Sequence, residues 1–344
     1  MKVIIDKFVP YIEGVIEPYA QVEYLAPEEI TREKVKDVDA LIIRTRTRVD
    51  GSLLAGSTCR FVATATIGRD HIDEAWCSLN GVTAVSAPGC NAPAVAQYVM
   101  AALTRLATGD FKDTTLAIVG VGHVGGLVEK WARSLGFNVM CVDPPRAAAE
   151  PDKEWSTLDA AAREADVITF HVPLSRDGEH ATFHLADRKF FESLKKRPVI
   201  INSARGAVVD NRAWLEAIRA GRVRASVVDV WEGEPNIDVD LLQVADIATA
   251  HIAGYSQDGK IRATQMVLDA FSGHFGLPRL KADSREACRV PASVTVKDVI
   301  DSYNPFAETD MFRKALTEAA ATGRVAETFE RMRDTYRLRA EVHQ

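Results

Sequence analysis

The segment LAIVGVGHVGG, Leu116 to Gly126, constrains this chain more than any other: an apolar β-branched run, then Gly120-x-Gly122-x-x-Gly125, then the opening of a helix. A glycine triplet alone is weak, but between a strand and a helix it has the context of a dinucleotide-binding turn. The first glycine makes the tight turn, the second lets backbone approach a pyrophosphate, and the third lets the helix pack close to the strand. Amides of His123 and Val124, at the helix N-terminus, then face the anion. Asp143 follows 18 residues after Gly125, at the end of NVMCVD. A carboxylate there accepts hydrogen bonds from both ribose hydroxyls and repels a 2′-phosphate, so NAD is expected rather than NADP, with Arg146 nearby working against that preference.

Around this turn, short β-branched runs alternate with polar or helical connections. Lys2–Ile5, Val22–Leu25, Ala40–Ile43, Phe61–Ala65 and Val82–Val85 read as strands, with helices over Pro27–Lys36 and Asp70–Leu79. A long buried helix follows, with Val95, Val99, Leu103 and Leu106 at helical spacing. Six more strands begin at Leu116, Val139, Val167, Val199, Ala225 and Ile247, enough for a complete doubly wound domain. The expected fold is α/β, two doubly wound parallel-sheet domains of Rossmann type with a small, mostly helical C-terminal extension. In that extension Val325, Phe329, Met332 and Tyr336 form an apolar stripe that needs a partner surface, on its own subunit or on a second one.

Composition narrows the class. With 344 residues, net charge −6, 47% hydrophobic and 26% charged residues, the chain is an ordinary globular protein, not a disordered, collagen-like or disulfide-scaffold one. The mild acidity argues against general binding to nucleic acid or membrane surfaces. Five widely spaced cysteines without a C-x-x-C pair disfavour disulfides and a structural zinc, so no metal is expected and a reducing cytoplasm fits. No secretory signal is read before Val3–Ile5, where Asp6 and Lys7 follow at once. Ala75 to Thr104 carries no charge for 30 residues, yet Pro88, Gly89, Asn91, Pro93 and Gln97 suit burial in protein better than a membrane span.

Three later strands end in polar residues, and strand C-termini line the ligand crevice of an open α/β sheet. VIINSARG places Arg205 there, VVDVWEGEP places Asp229 and Glu234, and IATAHIAG places His251. Moving a hydride between a 2-hydroxy acid and a nicotinamide needs a cation for the carboxylate and the C2 oxygen, which the fork of Arg205 suits. It also needs an acid/base group, here His251, and a carboxylate, here Glu234, to orient the ring and stabilise its protonated form.

The ordered run of glycine loop, HVPL at His171–Leu174, INSARG, DVWEGEP and AHIAG resembles the D-isomer-specific 2-hydroxyacid dehydrogenases over residues 110 to 255. The resemblance implies Arg205, Glu234 and His251 as catalytic residues. It also implies a substrate-binding, flavodoxin-like domain over 1–90 plus 255–280, an NAD-binding domain over 91–254, and a dimerising extension over 281–344.

IRTRTRVD, TATIGRDHID, APGCNAPAVAQYVM and HIAGYSQDGK are further similar to the branch of that family that oxidises 4-phospho-D-erythronate on the route to pyridoxal phosphate. This implies substrate contact by Thr45 and Thr66, phosphate contact by Tyr255, and cofactor contact by Gly254, Asp229 and, through its backbone, Val172. Arg44, Arg46 and Arg48 alternate after a strand, so an extended backbone would aim them at one anion. The expected partner is a small phosphorylated 2-hydroxy acid, and the expected assembly a homodimer. The nearest alternative is a sibling acting on 3-phosphoglycerate, hydroxypyruvate or glyoxylate, and the remoter one an NAD-sensing, non-catalytic corepressor-like protein.

Overall fold

A computed structural model describes residues 1–106 and 109–342, so the last two residues assigned to the extension, 343 and 344, lie outside it. The chain divides into two compact units, Met1–Asn91 with Ser256–Cys288, and Ala92–Tyr255 with Arg289–Gln344.

The first unit is built on five parallel strands, β1 (Lys2–Asp6), β2 (Gln21–Leu25), β3 (Ala40–Ile43), β4 (Phe61–Thr64) and β5 (Thr83–Val85), in the order β2-β1-β3-β4-β5. Side chains alternate between faces along a strand, so Ile4, Leu41, Ile43 and Val62 bury one face against Val35, Leu53 and Leu54. Val3, Ile5, Ile42 and Phe61 bury the other, against Val267, Leu268 and Phe271 of the helix Gln257–Phe275. The helix expected over Pro27–Lys36 is broken into a 3₁₀ turn, Pro27–Glu29, and a short helix, Arg32–Val35, because the chain turns at Ile30 to bury that side chain.

The second unit holds β6 (Thr115–Val119), β7 (Asn138–Val142), β8 (Val167–Phe170), β9 (Val199–Asn202), β10 (Ala225–Val228) and β11 (Ile247–Ala248), all parallel, in the order β11-β10-β9-β8-β6-β7. Strand order reverses between β6 and β8, which makes their C-terminal ends the expected ligand crevice. Beyond β7, Ser156 N donates to Cys141 O at 2.7 Å. One face packs on the helix Ala92–Leu106, buried at every position from Ala92 to Leu103, which accounts for the second part of the charge-free run. Among the described residues no helix is long and apolar enough to cross a membrane. All five cysteines are free thiols.

The C-terminal stretch does not stand apart as 281–344. Residues 256–288 belong to the first unit and those from Arg289 to the second. Phe312, Leu316 and Phe329 are buried in the core that covers the other face of the second sheet, with Val325, Met332 and Tyr336 packed against it. The apolar stripe therefore finds its partner surface in its own chain, and burying each large apolar side chain is worth about 1.5–3 kcal/mol.

Candidate active site

At the end of β6 the three glycines have separable jobs. Gly120 has φ 91°, and a Cβ there would lie 2.7 Å from Val172 Cγ1 and 2.8 Å from the His171 carbonyl carbon. A Cβ on Gly125 would lie 1.9 Å from Gly120 O, so only glycine lets the helix His123–Ser134 close on the strand. Gly122 is different: nothing lies within 4 Å of its would-be Cβ. Packing demands the first and third glycines, while the second fronts open space, as a cradle for pyrophosphate requires. His123 and Val124 open the helix beside it.

Asp143 ends β7. Its Oδ2 accepts from Val121 N at 2.8 Å and its Oδ1 from Arg146 N at 3.1 Å, which ties the carboxylate to the glycine loop. Arg146, the residue expected to oppose NAD, is engaged elsewhere: Nε and Nη2 bind both oxygens of Glu150, at 2.8 and 2.7 Å. Past β8, His171 Nε2 lies 3.0 Å from Thr169 Oγ1, and burial pushes its imidazole down to about 3.

β9, β10 and β11 pair in parallel register, so their C-terminal ends bring three loops side by side. The first holds Arg205, half-buried, whose Nη1 donates to Ala204 O at 2.8 Å. The next residue locks that loop to its neighbour. A Cβ on Gly206 would lie 2.0 Å from Trp231 O and 2.5 Å from Glu232 N, so glycine alone permits this approach to the loop bearing Glu234.

Glu234 Oε1 lies 2.6 Å from His251 Nδ1, and Trp231 N donates to its Oε2 at 3.3 Å. Both side chains are about three-quarters buried, at 25% and 29% exposure. Burial alone would raise the Glu234 carboxyl, but the His251 charge and hydrogen bond, the Trp231 amide and the Arg333 charge outweigh it and hold the group below its ordinary value.

His251 has φ 57°, left-handed backbone that costs a non-glycine residue roughly 1–2 kcal/mol. Asp229 holds it there. Its carbonyl accepts from His251 N at 2.8 Å, and its carboxylate, only 1% exposed, accepts from Ile252 N at 2.8 Å, from Ala253 N at 3.0 Å and from the Thr249 hydroxyl at 2.7 Å. Asp229 is thus the clamp of the histidine loop. Gly254 and Tyr255 complete that loop, in a turn closed by Tyr255 N on Ile252 O at 2.8 Å.

In the first unit Thr45 follows β3 and Thr66 follows the neighbouring β4, with Thr66 Oγ1 2.7 Å from Thr64 Oγ1. The arginine comb expected there does not form, because the chain turns at Thr45 and Arg46 instead of running on extended. Arg44 is half-buried, with Nη1 3.4 Å from Phe8 O, and Arg48, 81% exposed, pairs with Asp50 at 2.8 Å.

Two residues at the site escaped the sequence reading. Arg339 donates to the carbonyls of Ile252 at 2.9 Å, Tyr255 at 3.0 Å, Ala253 and Ala94, and to Gln97 Oε1 at 3.1 Å. Arg333 donates from Nε to the Tyr255 hydroxyl at 3.1 Å. Only the apolar stripe, which places these arginines on the core-facing side of the last segment, could have signalled them.

Residues 94–253 match the family described as D-isomer specific 2-hydroxyacid dehydrogenase, NAD binding domain. An erythronate-4-phosphate dehydrogenase of Bacteroides fragilis is 45% identical over 351 residues, spanning 99% of this chain and 97% of that protein. One from Klebsiella pneumoniae is 43% identical over 282 residues, 81% of this chain and 75% of that protein. Among solved structures, D-lactate dehydrogenase of Aquifex aeolicus, complexed with NAD and lactic acid, superposes with TM-score 0.66 at 22% identity, covering 80% of this chain and 96% of that one.

Proposed function

This chain belongs to the D-isomer specific 2-hydroxyacid dehydrogenases, and from that premise we propose that it oxidises 4-phospho-D-erythronate to (R)-3-hydroxy-2-oxo-4-phosphobutanoate with NAD, a step in pyridoxal 5′-phosphate biosynthesis. The observation that carries the chemistry is the 2.6 Å contact of His251 Nδ1 with Glu234 Oε1, on a strand end next to the one that leads into Glu234. With Nδ1 engaged, Nε2 is the atom left to take the proton of the substrate C2 hydroxyl. Glu234, held ionised, stabilises the imidazolium that results. Arg205 supplies a planar fork for the substrate carboxylate and polarises the C2 oxygen. A dinucleotide held by the glycine loop and Asp143 would supply the acceptor for the hydride that leaves C2. The open face of Gly122 and the tethered Asp143 fit a dinucleotide, and the engagement of Arg146 by Glu150 favours NAD over a 2′-phosphorylated cofactor. Val172, Gly254 and Asp229 are assigned to the cofactor side, and Thr45, Thr66, Arg44, Arg46 and Tyr255 to the substrate.

A panel of 4-phospho-D-erythronate, 3-phosphoglycerate and D-glycerate with NAD, read by nicotinamide absorbance, tests this. The first substrate should have the highest kcat/KM, and a wide margin for 3-phosphoglycerate would refute the assignment. Absence of turnover on all three would point to the NAD-sensing alternative. His251→Ala should lose at least about 100-fold in kcat with NAD binding intact, since general acid–base catalysis contributes about 10²–10⁴-fold. We also infer a cytoplasmic homodimer, for which Val296, Ile300 and Met311 offer exposed apolar contact. Sedimentation at the monomer mass of 37.7 kDa would refute it.

A further inference from the structure

We propose that Arg333, from the C-terminal helical segment, is the cation that binds the phosphate of the substrate and so selects phosphorylated over plain 2-hydroxy acids. The inference rests on the oxidation of a phosphorylated 2-hydroxy acid proposed above and adds a residue to that site.

A 2-hydroxy acid with a terminal phosphate has two anionic ends. The phosphate carries about −1.5 to −2 charges at pH 7, and taking it out of water without a cation is costly. Arg205 is committed to the carboxylate, so a second cation must reach the reacting carbon from another direction. Arg333 is placed to do so. It lies near the end of the helix Val325–Asp334, whose Phe329 is fully buried and whose Met332 packs on the same core as Ala250, Ile252 and Tyr255. Its side chain is 22% exposed, so the guanidinium is largely removed from water yet open on one side.

Among the described residues its hydrogen bond is to the Tyr255 hydroxyl, at 3.1 Å through Nε. The nearest carboxylate oxygen in an ion pair with it is Glu330 Oε1, 3.8 Å from Nη1, beyond hydrogen-bond reach. Both terminal nitrogens thus keep donors for a ligand, and the two together match the edge of a phosphate. The charge also bears on Glu234, the partner of His251, which places Arg333 within electrostatic range of the proton-transfer pair. Phosphorus in the proposed substrate is four bonds from C2, so the phosphate stays close enough to the reacting carbon for a cation that acts on Glu234 to bind it.

The experiment compares wild-type enzyme, Arg333→Gln and Arg333→Lys, each checked by circular dichroism melting. Two readouts are taken: kcat and KM for 4-phospho-D-erythronate, and the inhibition constant of inorganic phosphate against that substrate. Because it removes a charge-assisted hydrogen bond to the phosphate, Arg333→Gln should raise both KM and the phosphate constant roughly 10- to 100-fold, with kcat much less affected. Arg333→Lys, which keeps the charge, should recover part of each. A phosphate constant within threefold of wild type in Arg333→Gln would overturn the proposal, as would a loss confined to kcat, which would mean action through Glu234. Failure of the wild type to compete with phosphate also overturns it. Failure of the wild type to oxidise the phosphorylated substrate instead refutes the underlying reaction.

Discussion

Replacing Arg339 by methionine removes one of two grips on the histidine loop. The guanidinium donates to four carbonyls, three of them in the stretch Ile252–Tyr255, and its carbon lies 4.4 Å from the Tyr303 ring centre. Asp229 holds the same stretch from its amides, through Ile252 and Ala253. The loop is therefore pinned between an enclosed cation on its acceptors and a buried anion on its donors. Leaving buried acceptors without the donor they had costs about 1–3 kcal/mol each, and Arg339 serves three in this loop. The loss should appear as local opening, and at about 1.4 kcal/mol per tenfold it corresponds to amide exchange faster by on the order of 10²- to 10³-fold. Hydrogen exchange read by mass spectrometry on a peptide covering 249–256 measures it directly. Combining Arg339→Met with Asp229→Asn should cost less than the sum of the single effects by at least about 0.5 kcal/mol, since groups in one network couple. Acceleration below tenfold, or strict additivity of the two changes, would show that the loop does not depend on this pair.

Two further predictions concern the cofactor loop and the neighbouring histidine. Gly122→Ala should leave the melting temperature unchanged while weakening NAD binding at least tenfold, whereas Gly125→Ala, whose Cβ would meet Gly120 O at 1.9 Å, should lower both; calorimetry on the two variants decides it, and parallel behaviour would count against the cradle. Burial pushes the His171 imidazole from 6.5 down to about 3, so within that window the unfolded chain binds a proton the folded chain does not. Stability is then lost as pH falls from 6.5 toward 3. The drop in urea midpoint between pH 7 and pH 5 should be smaller in His171→Gln than in wild type, and an equal drop would refute the burial argument.

What the sequence made readable follows from how far apart the interacting residues lie. The strands were legible because alternation of apolar side chains is local, as in Val3, Ile4 and Ile5, which split between the two faces of the first sheet. The contact of Glu234 with His251 could be read ahead because the loops that carry them follow neighbouring parallel strands, and Arg205 follows the next strand over. The arginine comb after β3 failed for a local reason, a turn that periodicity does not encode. Gly206 went unnoticed because its need for a bare backbone arises from Trp231, which arrives from another strand. Arg333 lies 78 residues from Tyr255 and Arg339 lies 245 from Ala94, and no spacing rule reaches so far.

The same contacts explain why the C-terminal segment must fold with the nucleotide-binding sheet and not beside it. His251 sits in left-handed backbone that its own side chain disfavours, so the loop holds this shape only while external groups over-determine it. Asp229 supplies acceptors for three successive amides, and Arg339, whose charge is within electrostatic reach of that carboxylate, holds the carbonyls of the same stretch. Arg339 in turn is held by packing of Tyr336 and Phe329 on the core beneath the loop. Acid/base geometry at His251 is thus linked through Asp229 and Arg339 to the docking of the last helix. A truncation that ends the chain before Val325 should accordingly lose kcat far more than NAD binding, because the glycine loop and Asp143 make none of these contacts.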